Sequence, residues 1–282
     1  MTILSRSATG WRQLLSVAAC TACILGATAP AHALVNGVDT TSFAAVGAIG
    51  VASGVLIADN WVLTAAHVAG GISAGATVFE TLEGSAVIDA VYVYSNEAFP
   101  GNDIALVHLG TALDIDTPVL NDQLITRGQL NNLGTLTMAS AQNQTPNGTG
   151  ITTAASVYAS YTLSGISYPV NWLVTDGSVE VAGGDSGSAL FKGAVGDSGG
   201  QVLLGIASAA LSDTSGNAQS AYVQVAAYKT WINATMATSG QQALWSTSPV
   251  PEPGTAGLFA LGGVAMFMAR RHRDRRQPTA GC

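Results

Sequence analysis

The amino-acid sequence predicts an all-β body of many short strands that ends in one α-helix. Apolar segments of about four to eight residues recur along it, rich in Val, Ile and Tyr and separated by Gly, Asn, Asp and Thr, which is typical of a sandwich or barrel. Helical spacing first occurs near the end, where Tyr228, Trp231 and Ile232 fall at i, i+3 and i+4 within residues 225–236. The predicted strands are 45–51, 54–57, 61–64, 86–94, 104–109, 135–138, 156–163, 168–175, 188–191 and 202–207.

Residues 1–33 precede this body and have the three parts of a signal peptide. Two arginines give a positive start, Leu14–Thr28 is apolar, and Ala31-His32-Ala33 is a small-x-small site for signal peptidase. Cleavage there would make Leu34 the first residue of the mature chain. Two alternatives are an uncleaved N-terminal anchor and a lipoprotein box ending at Cys20, before which the apolar run would be very short.

The segment 250–276 closes the chain with a second sorting pattern. A Pro-Glu-Pro string at Pro251–Pro253 is followed by an apolar stretch within 254–269 and by the basic cluster Arg270–Arg276. This order resembles the PEP-CTERM sorting signal of Gram-negative bacteria, which implies a transmembrane segment and processing near the prolines by an exosortase-type membrane peptidase. The basic end would stay cytoplasmic and leave the body outside. A plain C-terminal anchor is the alternative and has the same topology.

Two short segments flank this signal. Residues 236–249 are polar and rich in small side chains, which predicts a linker, and residues 277–282 form a tail. The two sorting patterns together predict a protein exported to the periplasm, the outer cell surface or the extracellular matrix of a Gram-negative bacterium. Membrane association would come from the C-terminal segment, before processing.

The body between the sorting segments is acidic and lacks cysteine. Residues 34–250 contain three Lys or Arg and fifteen Asp or Glu, a net charge of −12, which argues against nucleic-acid binding. All three cysteines, Cys20, Cys23 and Cys282, lie outside it. The fold of the body must therefore rest on burial of apolar side chains, with no disulfide.

Three side chains stand in contexts that suggest chemistry. His67 follows two apolar strands joined by a short polar turn, which would hold an imidazole rigidly, as a general base requires. Asp103 opens an apolar strand, so its carboxylate is expected to be partly buried and to need a partner such as an imidazole N–H. Ser186 lies in the glycine-rich string Gly183–Ser188, which can form a tight turn with an exposed hydroxyl. Each context alone is as consistent with a structural role.

A second Gly-Asp-Ser-Gly string surrounds Ser198 and competes with Ser186. After a nucleophile the chain must run along one strand, turn, and return to Ser208. From Ser186 that path has 22 positions, whereas from Ser198 it has 10, too few for two strands. The spacing therefore favours Ser186 and predicts that Gly193–Gly200 is a hairpin turn.

Thr-Ala-Ala-His ending at His67, Asn-Asp-Ile-Ala-Leu around Asp103 and Gly-Asp-Ser-Gly around Ser186, in this order, resemble the chymotrypsin/trypsin family of serine peptidases. The resemblance includes Leu-Val-Asn-Gly at the start of the body and Trp-Ile near its end, so it spans residues 34–235. It implies a trypsin-like fold of two antiparallel six-stranded β-barrels, about 34–125 and 126–235, with the C-terminal helix.

The resemblance also implies an exported serine endopeptidase that acts on proteins or peptides. His67 would take the proton of the Ser186 hydroxyl, Asp103 would orient His67, and the N–H groups of Gly184 and Ser186 would bind the oxyanion. An acyl-enzyme intermediate forms, and no metal or cofactor is needed. In the family, a newly freed N-terminal ammonium pairs with the aspartate before the nucleophile and activates the enzyme. Here this implies Leu34 and Asp185 as the activation pair, with signal peptidase making the activating cut and no separate propeptide.

The resemblance places a substrate pocket beside the nucleophile. Counting back six residues from Ser186 puts Glu180 at its base, and Ser208, Ala210 and Ser220 would line its walls. Glu180 would favour Arg or Lys substrates, whereas the side chains of Ala210 and Ser220 would narrow the pocket, so the preferred substrate side chain stays open. A solvated strand residue is an equal interpretation of Glu180.

The sequence departs from the family's pattern at its disulfides. Ser53 and Val68 stand where a pair commonly brackets the histidine region, and Ala182 replaces a cysteine beside the pocket. Two other function classes compete with the peptidase. One is a catalytically silent protease-fold protein used for adhesion, and the other is a structural protein of the extracellular matrix.

Overall fold

The computed structural model describes residues 34–97, 99–142, 147–193 and 201–246. The predicted signal peptide, the sorting segment with its apolar stretch, the tail and the competing Ser198 lie outside the described residues. Within those ranges no helix is long and apolar enough to cross a membrane.

The described part of the chain contains fifteen strands. In chain order these are β1 (Val38–Thr40), β2 (Val46–Ile49), β3 (Ala52–Ala58), β4 (Trp61–Thr64), β5 (Val78–Glu80), β6 (Ser85–Val93), β7 (Ala105–Leu109), β8 (Val119–Asn121), β9 (Thr135–Ser140), β10 (Asn147–Leu163), β11 (Ile166–Asp176), β12 (Ala189–Lys192), β13 (Val202–Ser212), β14 (Ala218–Gln224) and β15 (Trp245–Ser246). Two α-helices are present, α1 (Ala66–Ala69) and α2 (Lys229–Met236), and 3-10 helices span Arg127–Asn132, Val225–Tyr228 and Ala237–Ser239.

The first half of the body is a closed barrel of six strands in the order β2-β3-β4-β7-β6-β5. The predicted all-β class, the closed six-strand barrel and the short C-terminal helix are thus confirmed. Along β6, exposed and buried residues alternate as far as Ile88, which is fully buried. The residues of β6 after Ile88 are all partly or fully exposed. Strand β4 is buried at every position, because one face lines the barrel and Trp61 packs outward against the second half.

The second half is a nine-stranded sheet that takes in strands from both ends of the body. Its order is β12-β9-β10-β11-β14-β13-β8-β15, and the extra pairing of β12 with β13 links six of these strands in a ring. Strand β1 pairs with β10, and β8 pairs in parallel with β13 and β15. Strands β1 and β8 fall in the part of the chain that was predicted as the first barrel, yet they pair with the second sheet.

One apolar core joins the two halves. Val55, Trp61 and Leu106 of the first barrel belong to the same buried cluster as Trp172 and Val223 of the second sheet. Burial of apolar side chains is the main favourable term in folding, so this shared core fixes the two halves against each other. Side chains that extend into the cleft between them therefore have a rigid support.

The predicted linker 236–249 is folded in its first part. After the helix α2, a 3-10 turn and a short loop lead to β15, which pairs with Leu120 and Asn121 of β8. Ala243 is buried in the shared core, and the Trp245 indole donates to Asn233 Oδ1 at 2.8 Å. The prediction of a linker was therefore wrong for this first part. Its few apolar residues are separated by polar ones, which gives the sequence the appearance of a linker, but these apolar residues anchor the segment to the body.

Candidate active site

His67 lies on the single helical turn α1, directly after the buried strand β4. Its Nδ1 is 2.8 Å from Asp103 Oδ2, and its backbone N–H donates to Asp103 Oδ1 at 2.9 Å. The imidazole edge contacts the Phe99 ring, with 5.1 Å between the ring centroids. Both the backbone and the ring of this histidine are therefore held by one carboxylate.

Asp103 precedes β7 at the base of the cleft and is 1% exposed. Besides the two bonds to His67, its Oδ2 accepts a hydrogen bond from the Ser208 hydroxyl at 2.6 Å. A carboxylate can only accept, so His67 Nδ1 carries the proton in this pair. The sequence analysis expected a carboxylate that needs an imidazole partner, and the structure places His67 there.

Ser186 completes a chain of three side chains. Its Oγ lies 2.7 Å from His67 Nε2. Because Nδ1 of the neutral ring is protonated, Nε2 is the acceptor and the serine hydroxyl is the donor. This arrangement is the one that prepares a hydroxyl to lose its proton during nucleophilic attack.

Two glycines in left-handed conformations shape the turn around Ser186. Gly184 has φ +102° and Gly187 has φ +82°. A Cβ on Gly187 would collide with the carbonyl oxygen of Ser53 and the hydroxyl of Thr64. The backbone of β3 thus packs directly under the nucleophile loop, and the Ser53 N–H donates to the Ser186 carbonyl at 2.8 Å.

A cleft of about 490 Å³ opens on one side of Ser186. The sequence gives no local sign of this surface, because its apolar residues come from strand ends and loops that are distant in sequence. Its lining residues are Ile49, Gly50, Val51, Ala52, His67, Val68, Gly71, Ile72, Thr77, Gly184 and Ser186.

The predicted pocket residues take up three different environments. Glu180 is half-buried, and its backbone pairs with Val35 in an isolated antiparallel bridge. Ala210 is exposed and lies opposite Ser220 in the β13–β14 ladder. Ser220 is 1% exposed, and its Oγ accepts the Val181 N–H at 3.0 Å.

Ser208, predicted as a pocket wall, turns its hydroxyl to Asp103 instead. It is 5% exposed. Its side chain therefore supports the His67–Asp103 pair, and only its backbone remains available to the cleft.

Leu34 and Asp185 are brought together as the resemblance implied. Leu34 is fully buried, and its N–H donates to Asp185 Oδ1 at 3.1 Å. Asp185 is also fully buried and accepts bonds from Ser140 and Gln142, which the sequence analysis missed. Burial raises the pKa of the Asp185 carboxyl, while these hydrogen bonds oppose the rise.

The other histidine of the body forms a pair of a different kind. His108 Nδ1 lies 2.7 Å from Asp89 Oδ1 on the outside of the first barrel, and its ring contacts Trp61. No serine hydroxyl is bonded to this ring among the described residues. Within the same ranges, no three His, Cys, Asp or Glu side chains are grouped closely enough to hold a metal ion.

Comparison with protein families identifies two parts of the chain. The model of the Trypsin family matches residues 36–232, more than two thirds of the chain. The PEP-CTERM protein-sorting motif matches residues 249–274, which indicates export in Gram-negative bacteria and membrane association. No curated protein matches the chain in sequence. The match to the Trypsin model covers nearly the whole folded body, and the chain belongs to the trypsin family.

Proposed function

We propose that this protein is an exported serine endopeptidase. The observation that carries the proposal is the continuous hydrogen-bonded chain from Asp103 through His67 to Ser186, with separations of 2.8 Å and 2.7 Å. It lies in the cleft between the two halves of a trypsin-family body.

In the proposed mechanism the Ser186 hydroxyl attacks a peptide carbonyl. His67 Nε2 takes the hydroxyl proton and later delivers it to the leaving amine, so that an acyl-enzyme is left on Ser186. Asp103 holds the Nδ1–H tautomer and stabilises the imidazolium. The N–H groups of Gly184 and Ser186 are the proposed donors to the oxyanion, and water then releases the acyl group. None of these steps requires a metal or cofactor.

The two sorting segments supply the proposed processing partners. Signal peptidase would cut after Ala33, which would leave a free amino group on Leu34 beside Asp185. An exosortase-type peptidase would act near Pro251–Pro253, within the matched sorting motif. The proposed destination is the periplasm, the outer cell surface or the extracellular matrix.

An active-site probe tests the proposal directly. We expect a fluorophosphonate to label the native protein on one serine, which mass spectrometry of the digested protein should identify as Ser186, because only an activated hydroxyl reacts. Heat-denatured protein is the control and should not be labelled. A folded sample that takes up no probe would instead support the catalytically silent protease-fold protein.

We further propose that the pocket beside Ser186 accepts small uncharged side chains. Ser220 and Tyr222 point to one face of β14, as residues i and i+2 do, and they are 1% and 0% exposed. A deep pocket for Arg or Lys would leave the residues at its floor open to solvent. In this proposal the Ser220 side chain, whose hydroxyl accepts the Val181 N–H, fills the floor of the pocket.

Widening the pocket should change this preference. In a peptide library we expect the wild type to cleave after Ala and other small residues, and the double variant Ala210→Gly, Ser220→Gly to gain activity after larger side chains. One or two carbon atoms of pocket space change kcat/KM by about 10- to 200-fold. Ser212→Gly, at the exposed end of β13, is the matched control. Wild-type cleavage after Lys or Arg would show that Glu180 determines the specificity.

A further inference from the structure

The buried carboxylate of Asp185 receives four hydrogen bonds from neutral donors. Oδ1 accepts from the N–H of Leu34 at 3.1 Å, from the Ser140 hydroxyl at 2.7 Å and from Gln142 Nε2 at 2.6 Å. Oδ2 accepts from the N–H of Ala182 at 2.7 Å. The bond from Leu34 is the longest of the four, and the other three donors belong to residues far along the chain from the predicted cut after Ala33.

No cation pairs with this carboxylate in the described ranges. Arg127, Lys192 and Lys229 are the Lys and Arg residues there, and the one ion pair that they form joins Lys229 to Asp122. In the uncut chain the Leu34 nitrogen is a peptide nitrogen without charge. A buried carboxylate is costly unless hydrogen bonds compensate for the lost water, so the neutral donors must carry that compensation.

The bond from Ser140 is part of a longer relay that starts at β3. Because the Ser140 hydroxyl proton goes to Asp185, the Ser53 hydroxyl must donate to Ser140 Oγ, 3.0 Å away. Ser53 Oγ in turn accepts the Ala141 N–H at 3.0 Å. Ser53 and Ser140 are both fully buried. Every hydroxyl in the relay has one donor and one acceptor role, so the relay has a single arrangement.

Gln142 also contacts the peptide that carries the proposed oxyanion donor. Its Nε2 lies 3.4 Å from the Gly183 carbonyl oxygen, and a Cβ on Gly184 would lie 2.7 Å from its Cδ. In a trans peptide the carbonyl and the following N–H point in opposite directions. By attracting the Gly183 carbonyl, Gln142 therefore directs the Gly184 N–H away from itself.

We propose that Ser140 and Gln142 are positioning residues that hold Asp185 and the Gly183–Gly184 peptide in the competent arrangement without a charged partner, so that catalysis does not require a free ammonium group on Leu34. This inference rests on the proposed peptidase function. Its consequence is that the chain is active before signal-peptide cleavage, and the cut after Ala33 affects where the enzyme is located and not whether it works.

The first test compares the uncut and the processed full chain. The substitutions Ala31→Asp and Ala33→Asp remove the small residues of the cleavage site, and the precursor is purified in detergent beside the processed protein. Displacing one oxyanion donor costs on the order of 10² to 10³ in rate. We expect fluorophosphonate to label the precursor at a rate within about tenfold of the processed chain. A precursor that is slower by more than that would overturn the proposal.

The second test removes the side-chain donor. We expect Gln142→Leu to lower kcat by at least about tenfold with little change in KM, because substrate binding does not use the oxyanion donor. Gln201→Leu is the matched control, because among the described residues the Gln201 side chain bonds the Ser42 carbonyl and no residue of the proposed site. Equal kcat values for the two variants would contradict the role of Gln142.

A pH profile separates positioning from general support of the fold. In Gln142→Glu a protonated carboxyl can still donate to Asp185, whereas the ionised form would repel it. The activity of this variant relative to wild type should therefore fall as pH rises. Tyr222 stays neutral across the pH range in which the introduced glutamate ionises, because burial and the charge of Asp185 raise the pKa of Tyr222 well above its usual value. If the activity of Gln142→Glu relative to wild type does not change with pH, the proposal is contradicted. This result is decisive even if Gln142→Leu fails to fold.

The probe also separates failure of this inference from failure of the peptidase function. If the processed protein is labelled and the precursor is not, the ammonium group is required and only the inference fails. If neither form is labelled although both are folded, the proposed peptidase function fails and the inference with it.

Discussion

Replacement of Ser186 by alanine is expected to abolish peptide hydrolysis and fluorophosphonate labelling. The substitution removes the only hydroxyl within hydrogen-bond distance of His67 Nε2 in the described part of the chain. Without it no acyl-enzyme can form, and removing the nucleophile of such a triad lowers kcat by about 10⁶. Progress curves with a small peptide ester would measure the loss. The thermal midpoint should change little, because among the described residues the imidazole of His67 is the one partner of Ser186 Oγ.

Ser198→Ala is the matched control for this experiment. Ser198 lies in the second Gly-Asp-Ser-Gly string, which is followed by another glycine as the family's string is. Because Ser198 is outside the described residues, this experiment decides between the two serines by activity. We expect Ser198→Ala to keep the wild-type rate. Loss of activity in Ser198→Ala together with an active Ser186→Ala would overturn the assignment of the nucleophile.

Asp103→Asn is expected to lower kcat by on the order of 10⁴ while leaving the fold intact. Asp103 Oδ1 accepts the fixed backbone N–H of His67, so an asparagine must keep its oxygen there and turn its NH₂ toward His67 Nδ1. An NH₂ group donates, which forces the proton of the neutral ring onto Nε2. The imidazole could then no longer accept the proton of Ser186.

The body contains a natural control for this substitution. Asp89→Asn alters the other His–Asp pair, which lies on the surface next to His108 and has no role in the mechanism. We expect its kcat to match the wild type. Since Ser208 also bonds to Asp103, Ser208→Ala should have an intermediate effect. A wild-type kcat for Asp103→Asn would show that His67 is oriented by another group.

The parts of the fold with strong local signals were predictable from sequence. Strand β4, Trp61–Thr64, has the predicted bounds, and the helical spacing of Tyr228, Trp231 and Ile232 marked the C-terminal helical segment. The first half of β10 was not predicted, because the string Asn-Gly-Thr-Gly at Asn147–Gly150 has the composition of a turn. Pairing with β9 on one side and β1 on the other overrides that local preference.

The contacts that arise only in three dimensions were beyond sequence reasoning. His67, Asp103 and Ser186 could be singled out by their contexts, whereas Ser140 is the last residue of β9 and Gln142 lies two residues beyond it, with no local motif around them. The sequence offered the Leu34 ammonium group as the partner of Asp185, so nothing in it indicated that neutral donors converge on this carboxylate. Likewise, nothing local marks β8 and β15, which are held by parallel pairing across 125 residues of chain.

The strand β15 determines how far the body can extend from the sorting motif. A flexible segment over residues 236–249 would be a tether of fourteen residues, with a reach of roughly 50 Å at about 3.5 Å per residue. Because Ser246 is paired to β8, only the four residues 247–250 separate the folded body from Pro251, a reach of roughly 17 Å over the steps from Ser246 to Pro251. If the C-terminal segment is inserted in a membrane, the folded body would thus be confined to the layer next to the lipid head groups. Under the proposed function, proteins at that surface would then be the substrates within its reach.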